Sequence, residues 1–181
     1  MIRAAAKRMT ALSLVLALAL SSAPRALADE MSNLDLASRI FLKILLLDRE
    51  LASKTSHRVV VGVIGSDAAH RAFSALRGHF LDQSHDFVLA DVVHYDSLDA
   101  DSPRPTVLYV GPDASPEEVT AFTRKNSVLS VTTVGEYLER GVSVGLMVEN
   151  GKPRVVLNLL NSNREGLHWD SKMLKISRVV R

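Results

Sequence analysis

Six histidines are the first residues to test for chemistry: His57, His70, His79, His85, His94 and His168. None forms an HxxxH or HExxH pair. Asp82, His85 and Asp86 are close in sequence, but they fall at an expected helix end. A structural metal site needs a dense set of ligands, so the histidines read as surface residues and no metal site is expected. The chain has no cysteine, which excludes thiolate ligands, Cys nucleophiles and disulfides. No G-x-S-x-G elbow exists for a serine hydrolase, and no pair of carboxylates is singled out by spacing. The residues therefore assemble no catalytic set and call for no cofactor, and the chain does not read as an enzyme.

Two groups of polar residues remain. The first is Ser66 and Asp67, in "VVVGVIGSDAAH". A continuous apolar run there ends in Gly65, and a helix starts at once. Ser66 or Asp67 can cap that helix. The free N–H groups of such a turn can also hold an anion. "GVIGSD" is neither a dinucleotide fingerprint nor a P-loop, so both readings stay open.

The second group lies in "TTVGEYLERGVSVGLMVENGKPRVVLNLL". Asn150-Gly151 is a strong hairpin signal, because both residues tolerate positive φ. A two-residue turn there sets Glu149 opposite Lys152, Val148 opposite Pro153, Leu146 opposite Val155 and Val144 opposite Leu157. One face of the hairpin is then apolar. The other carries Ser143, Gly145, Met147 and Glu149 against Asn158, Val156, Arg154 and Lys152. That face reads either as solvated sheet or as a shallow site around Gly145, Arg154 and Asn158, since a strand glycine often marks close approach of a ligand or backbone. Pro153 places at least the start of its strand at a sheet edge. Arg164 and His168 follow, and with Arg154 and Asn158 they form a candidate binding patch.

These residues must be positioned by an ordered set of elements. Leu34 to Leu51 carries Ile40, Phe41, Ile44, Leu47 and Leu51 at helical spacing. Leu42, Leu45 and Leu46 make it apolar nearly all round, so it either packs under a sheet or meets a partner. Strands are expected at Val59–Ile64, within His85–Tyr95, at Thr106–Val110 and at Val128–Val131. A helix is expected from Gly65–Asp67 to about Leu81. Another should start at Pro116, capped by Ser115 with Glu118 in a capping box. Thr133-x-x-Glu136 is a second capping box, and Gly141 ends its short helix. Asp170 or Ser171 caps a last helix bearing Met173, Leu174 and Ile176. Strands alternating with helices imply a mainly parallel sheet. The fold class is α/β: a single-domain layered sandwich with helices flanking the sheet and a C-terminal antiparallel hairpin.

The N-terminus reads as an export signal. Arg3, Lys7 and Arg8 precede the apolar "ALSLVLALAL", and "ALA" ends at Ala28. The run is shorter than the roughly 20 residues that span a bilayer. Residues 1–28 are thus expected to be removed, leaving 29–181 as one domain in the periplasm. Removal takes away Arg3, Lys7, Arg8 and Arg25 and no acid, so 18 basic residues face 20 acidic ones, a net charge of −2. The pI near 9.0 belongs to the precursor, and nucleic acid is not an expected partner.

The order and spacing of Leu129, Val131, Val134, Gly135, Gly141, Asn150, Gly151, Asn158, Leu159, Gly166, Leu167, Ser171, Leu174 and Val179 resemble the C-terminal half of the YfiR-like proteins. "RVVVGVIGSD" is similar to that family's first strand and turn. With the preceding helix, the resemblance covers nearly all of the mature chain. It implies a periplasmic, non-enzymatic regulator that binds the periplasmic sensor domain of an inner-membrane diguanylate cyclase, restrains cyclic-di-GMP synthesis and biofilm formation, and forms homodimers. The chain departs from the characterised pattern in having no cysteine. It also lacks the aromatic-Pro ending of the first helix. A second reading is a periplasmic binder of a small anionic or aromatic ligand, using Ser66 and Asp67 or the patch of Arg154, Asn158, Arg164 and His168.

Overall fold

The apolar run expected at the sheet centre forms β1, Arg58–Ile64. The computed structural model describes residues 23–82 and 87–180. It contains helices α1 (Ala23–Leu45), α2 (Leu51–Thr55), α3 (Asp67–Ser74), α4 (Pro116–Asn126), α5 (Leu159–Arg164) and α6 (Ser171–Ile176). The further strands are β2 (Phe80–Asp82), β3 (Phe87–Tyr95), β4 (Val107–Val110), β5 (Leu129–Thr132), β6 (Val144–Glu149), β7 (Lys152–Asn158) and β8 (Ser177–Val180), with a 3-10 turn at Gly135–Leu138. Most of the expected export segment, 1–22, lies outside the described residues, as does His85.

One sheet runs in the order β2-β3-β1-β4-β5-β6-β7-β8. Strands β3, β1, β4, β5 and β6 are parallel. Strand β2 pairs antiparallel with β3, β7 antiparallel with β6, and β8 parallel with β7. The class is therefore a mainly parallel α/β sandwich with a C-terminal hairpin.

Strand periodicity sorts the core into two layers. On one face, Val59, Val61, Val63, Val107, Tyr109, Leu129, Val131, Val144 and Leu157 pack with Leu34, Phe41, Leu45 and Phe73 of α1 and α3. Tyr109 sits edge-on to Phe41, 6.2 Å between ring centres. Its hydroxyl lies 2.8 Å from Thr133 Oγ1. On the other face, Ile64, Leu108 and Val110 pack with Val119 and Phe122 of α4 and with Tyr137. The long stripe of α1 is thus buried against the sheet and α3, leaving Leu36 47% exposed.

Several elements differ from the sequence expectation. The helix after Gly65 ends at Ser74, not near Leu81, and Phe80–Asp82 is an edge strand. Gly78, at φ +81°, turns the chain toward it. The Thr133 capping box does not form: Val134 precedes a 3-10 turn with no side-chain cap, because Thr133 is held by Tyr109 instead. Strand β8 occupies residues that follow α6 without a break.

The amino-terminal helix is fastened to the C-terminal segment through Asp48. Its Oδ1 accepts from the N–H groups of His168 (3.2 Å) and Glu50 (3.3 Å). Lys54 Nζ reaches both Asp48 Oδ2 (2.9 Å) and the Gly166 carbonyl (2.8 Å).

At the carboxyl ends of β1 and β4, two loops are zipped together. Gly111 N–H donates to the Ile64 carbonyl (2.8 Å), and Asp113 N–H to that of Gly65 (3.2 Å). A Cβ on Gly65 would lie 2.4 Å from Ala114 N, and one on Gly111 2.2 Å from Gly65 O. Both obstacles are backbone. Gly65 also has φ +69°. Gly78 has positive φ but open space around it. Thus Gly78→Ala should cost about 1 kcal/mol, the backbone strain alone. Gly65→Ala, which adds overpacking, should cost about 3 kcal/mol or more. Thermal melts should show Gly65→Ala and Gly111→Ala well below Gly78→Ala; equal losses would mean that the loops separate freely.

Candidate functional site

The zipped loops form the floor of a cleft. It has a volume of about 700 Å³ and is lined by Ser66, Asp67, Arg71, His94, Asp113 and Ser115, among others. It opens between β1 and β4, where the chain's path through the sheet reverses direction: β3 lies on one side of β1 and β4 on the other. Open parallel sheets offer a crevice at such a point.

Local sequence explains each wall. Ser66 Oγ accepts from Ala69 N–H (3.1 Å) and caps α3. Ser115, followed by Pro116, caps α4. Tyr137 hydroxyl donates to the Pro112 carbonyl (2.8 Å) and pins the second loop from below. His94 stacks on His70 with 5.3 Å between rings, and its Nδ1 lies 3.7 Å from Asp67 Oδ1. The rim carries Asp67, Asp96, Asp113 and Glu118 against Arg71 and His94. Both helix N-termini therefore face the cleft with their caps already supplied by side chains, and carboxylates outnumber cations around it.

The structure brings Ser66 and Asp67 together in this cleft. Gly145 and Asn158 meet elsewhere, around Leu138. A Cβ on Gly145 would lie 2.8 Å from Leu138 Cδ1, so the close approach that this glycine permits is that of Leu138. Asn158 Nδ2 donates to the Leu138 carbonyl (3.1 Å), and its Oδ1 accepts from Asn161 N–H (3.1 Å) to cap α5. The base of the polar hairpin face, expected as solvated or loosely covered, is buried beneath the 3-10 turn: Ser143, Val156 and Asn158 are buried. Arg154 is exposed further out, 3.7 Å from Glu149. Arg164 is exposed at the end of α5. His168 is fixed by its backbone to Asp48, and its ring lies 3.6 Å from Glu50.

The hairpin register is as the Asn-Gly turn requires, from Glu149↔Lys152 to Val144↔Leu157. Strand β8 pairs with β7 only from Val155 onward, so Lys152–Arg154 lie at a sheet edge as Pro153 implied.

One residue that sequence reasoning passed over is the fully buried Glu165. Its Oε1 accepts from Thr123 Oγ1 (2.7 Å) and Ser130 Oγ (2.6 Å), and its Oε2 from Ser130 N–H (3.0 Å). The buried Ser143 hydroxyl faces it without completing a hydrogen bond. In the sequence it stands between Arg164 and Gly166 and looks like any surface acid. Its only sequence counterpart is the row of Ser and Thr on strands that are otherwise apolar.

Among the described residues no cluster of three His, Asp or Glu side chains could hold a metal. No helix among them is long and apolar enough to cross a membrane.

A mainly parallel α/β sandwich with a cleft at its reversal point and a C-terminal β6–β7–β8 extension defines the class. The family profile described as YfiR/HmsC-like matches residues 48–178. The chain belongs to that family. No curated protein matches the chain. Among solved structures, a conserved domain protein from Vibrio cholerae O1 biovar eltor is similar in fold, with a TM-score of 0.54 at 13% identity. The match covers 82% of this chain and 60% of that one.

Burial pushes the Glu165 carboxyl above the ordinary carboxylate range, against the pull of hydrogen bonds from Ser130 and Thr123. The native state then holds a proton that the unfolded chain releases at about pH 4.3. Stability is greatest below that pH and falls as pH rises toward the native pKa, beyond which it levels off. Glu165→Gln keeps the shape and removes the titration. Denaturant midpoints for the wild type should fall relative to Glu165→Gln as pH rises from about 4. Parallel pH profiles would contradict the assignment.

Proposed function

We propose that the chain is an exported, non-enzymatic regulatory binding protein that modulates a membrane-bound signalling protein of the diguanylate cyclase type through its periplasmic domain. The observation that carries this reading is the YfiR/HmsC-like match across residues 48–178. The amino-terminal basic, apolar and small-residue pattern supports export, with cleavage after Ala28. In the producing cell, loss of the chain should raise cyclic-di-GMP several-fold. A copy with its export segment should restore the lower level, and a copy lacking residues 1–28 should not. An unchanged cyclic-di-GMP level on deletion would refute the reading.

The cleft between β1 and β4 favours a second reading, a small-ligand binder, in which Ser66 and Asp67 contribute to the site. Its volume and its place at the reversal point are those of a ligand crevice. A thermal-shift series with amino acids, nucleotides and organic anions should give stabilisation that grows with ligand concentration. Substitution of Arg71 should abolish it. A shift that survives that substitution would place binding elsewhere.

A further inference from the structure

We infer that the outer half of the β6–β7–β8 extension is a docking surface for an extended, acidic segment of a partner protein. The inference rests on reading the chain as a binding protein and adds the chemistry of the contact.

The 3-10 turn covers the base of this sheet face by seating Leu138 on Gly145. Beyond it the face is open. The register gathers Met147, Glu149, Lys152 and Arg154 from the hairpin. Strand β8 adds Arg178 opposite Val156. Two arginines from two strands thus flank one carboxylate, and Lys152 stands opposite it in the register.

Glu149 fixes the direction of both arginines. Its Oε1 lies 2.9 Å from Arg178 Nη1, and its Oε2 3.7 Å from Arg154 Nε. Both guanidiniums remain more than half exposed, so each keeps N–H donors directed at solvent. Lys152 is exposed, and no carboxylate pairs with it among the described residues. A guanidinium already held in place loses less entropy when it takes a second carboxylate.

Charge and spacing select the occupant. Lys152 and Arg154 are two residues apart on one strand, roughly 7 Å. An extended segment with acids at alternate positions presents the same repeat. The edge of β7 at Lys152–Arg154 lies open beside it, since β8 begins opposite Val155. The whole mature chain is expected to be slightly acidic, so this basic patch is a local feature.

The test uses a fluorescein-labelled peptide of alternating Glu and Thr and an equivalent with Gln for Glu. Binding to the full-length mature chain is read by anisotropy at low and high salt. The Glu peptide should bind, weaken strongly with salt, and bind far better than the Gln peptide. Lys152→Gln with Arg154→Gln should weaken it about tenfold, while Arg39→Gln on α1 should leave it unchanged. Melting curves confirm that the variants fold. No binding of the Glu peptide, or equal weakening by Arg39→Gln, would overturn the inference. So would sedimentation with phosphatidylglycerol vesicles in place of peptide binding, since that would make the patch a membrane contact. The peptide assay needs no signalling partner, so its failure leaves the cyclic-di-GMP result standing.

Discussion

The C-terminal half of the molecule depends on one buried acid. Glu165 has no exposure to solvent, and an unpaired buried carboxylate is too costly to keep. It persists because two elements turn three donors toward it: Thr123 from α4 and the Ser130 side chain and backbone from β5. Ser130 Oγ in turn accepts from the Ser143 N–H (2.9 Å) just ahead of β6. The polar row on the buried face of these strands is therefore an internal hydrogen-bonding network. It fixes the turn after α5, from which the chain runs past Asp48 and on to β8.

Two exposed surfaces carry the candidate recognition residues. At the carboxyl ends of β1 and β4 lies a concave cleft with capped helix termini and an acidic rim. At the far side of the sheet, beyond Leu138, lies a flat basic face on three strands. Their charges are opposite in sign.

The positions of β1 and β3–β7, the hairpin register and the Ser115 cap were legible in the sequence, and the caps of α3 and α6 were narrowed to Ser66 or Asp67 and Asp170 or Ser171. They follow from local rules: apolar runs, the Asn-Gly turn, and short polar side chains before helices. The elements that were not legible depend on distant contacts. Thr133 and Glu136 have the spacing of a capping box, but the Tyr109 hydroxyl claims Thr133, and only the packing of β4 against β5 brings them together. Ser177–Val180 continues straight from α6 and becomes a strand because β7 offers it an edge. Of the candidate site residues, Ser66 and Asp67 could be placed by local order. Register set Arg154 opposite Met147, on the same face as Glu149, but Arg178 could join them only once β8 was known. Gly145 was legible as a point of close approach, and the sequence could not say that Leu138 fills it.

The 3-10 turn links the two surfaces mechanically. Tyr137 holds the Pro112 and Ala114 carbonyls under the cleft. Its neighbour Leu138 sits on Gly145 and is held by Asn158 at the base of the basic face. A movement of the Pro112–Ala114 loop would therefore bear on Tyr137 and, through its neighbour, on the seat of Leu138. Interiors this closely packed shift between arrangements and do not deform smoothly. If a ligand in the cleft and a segment on the basic face each favour a different seating of this turn, they must influence each other's affinity by the same factor. The turn is short and lacks a side-chain cap, yet Tyr137 and Leu138 are buried, so reseating it would move both side chains together.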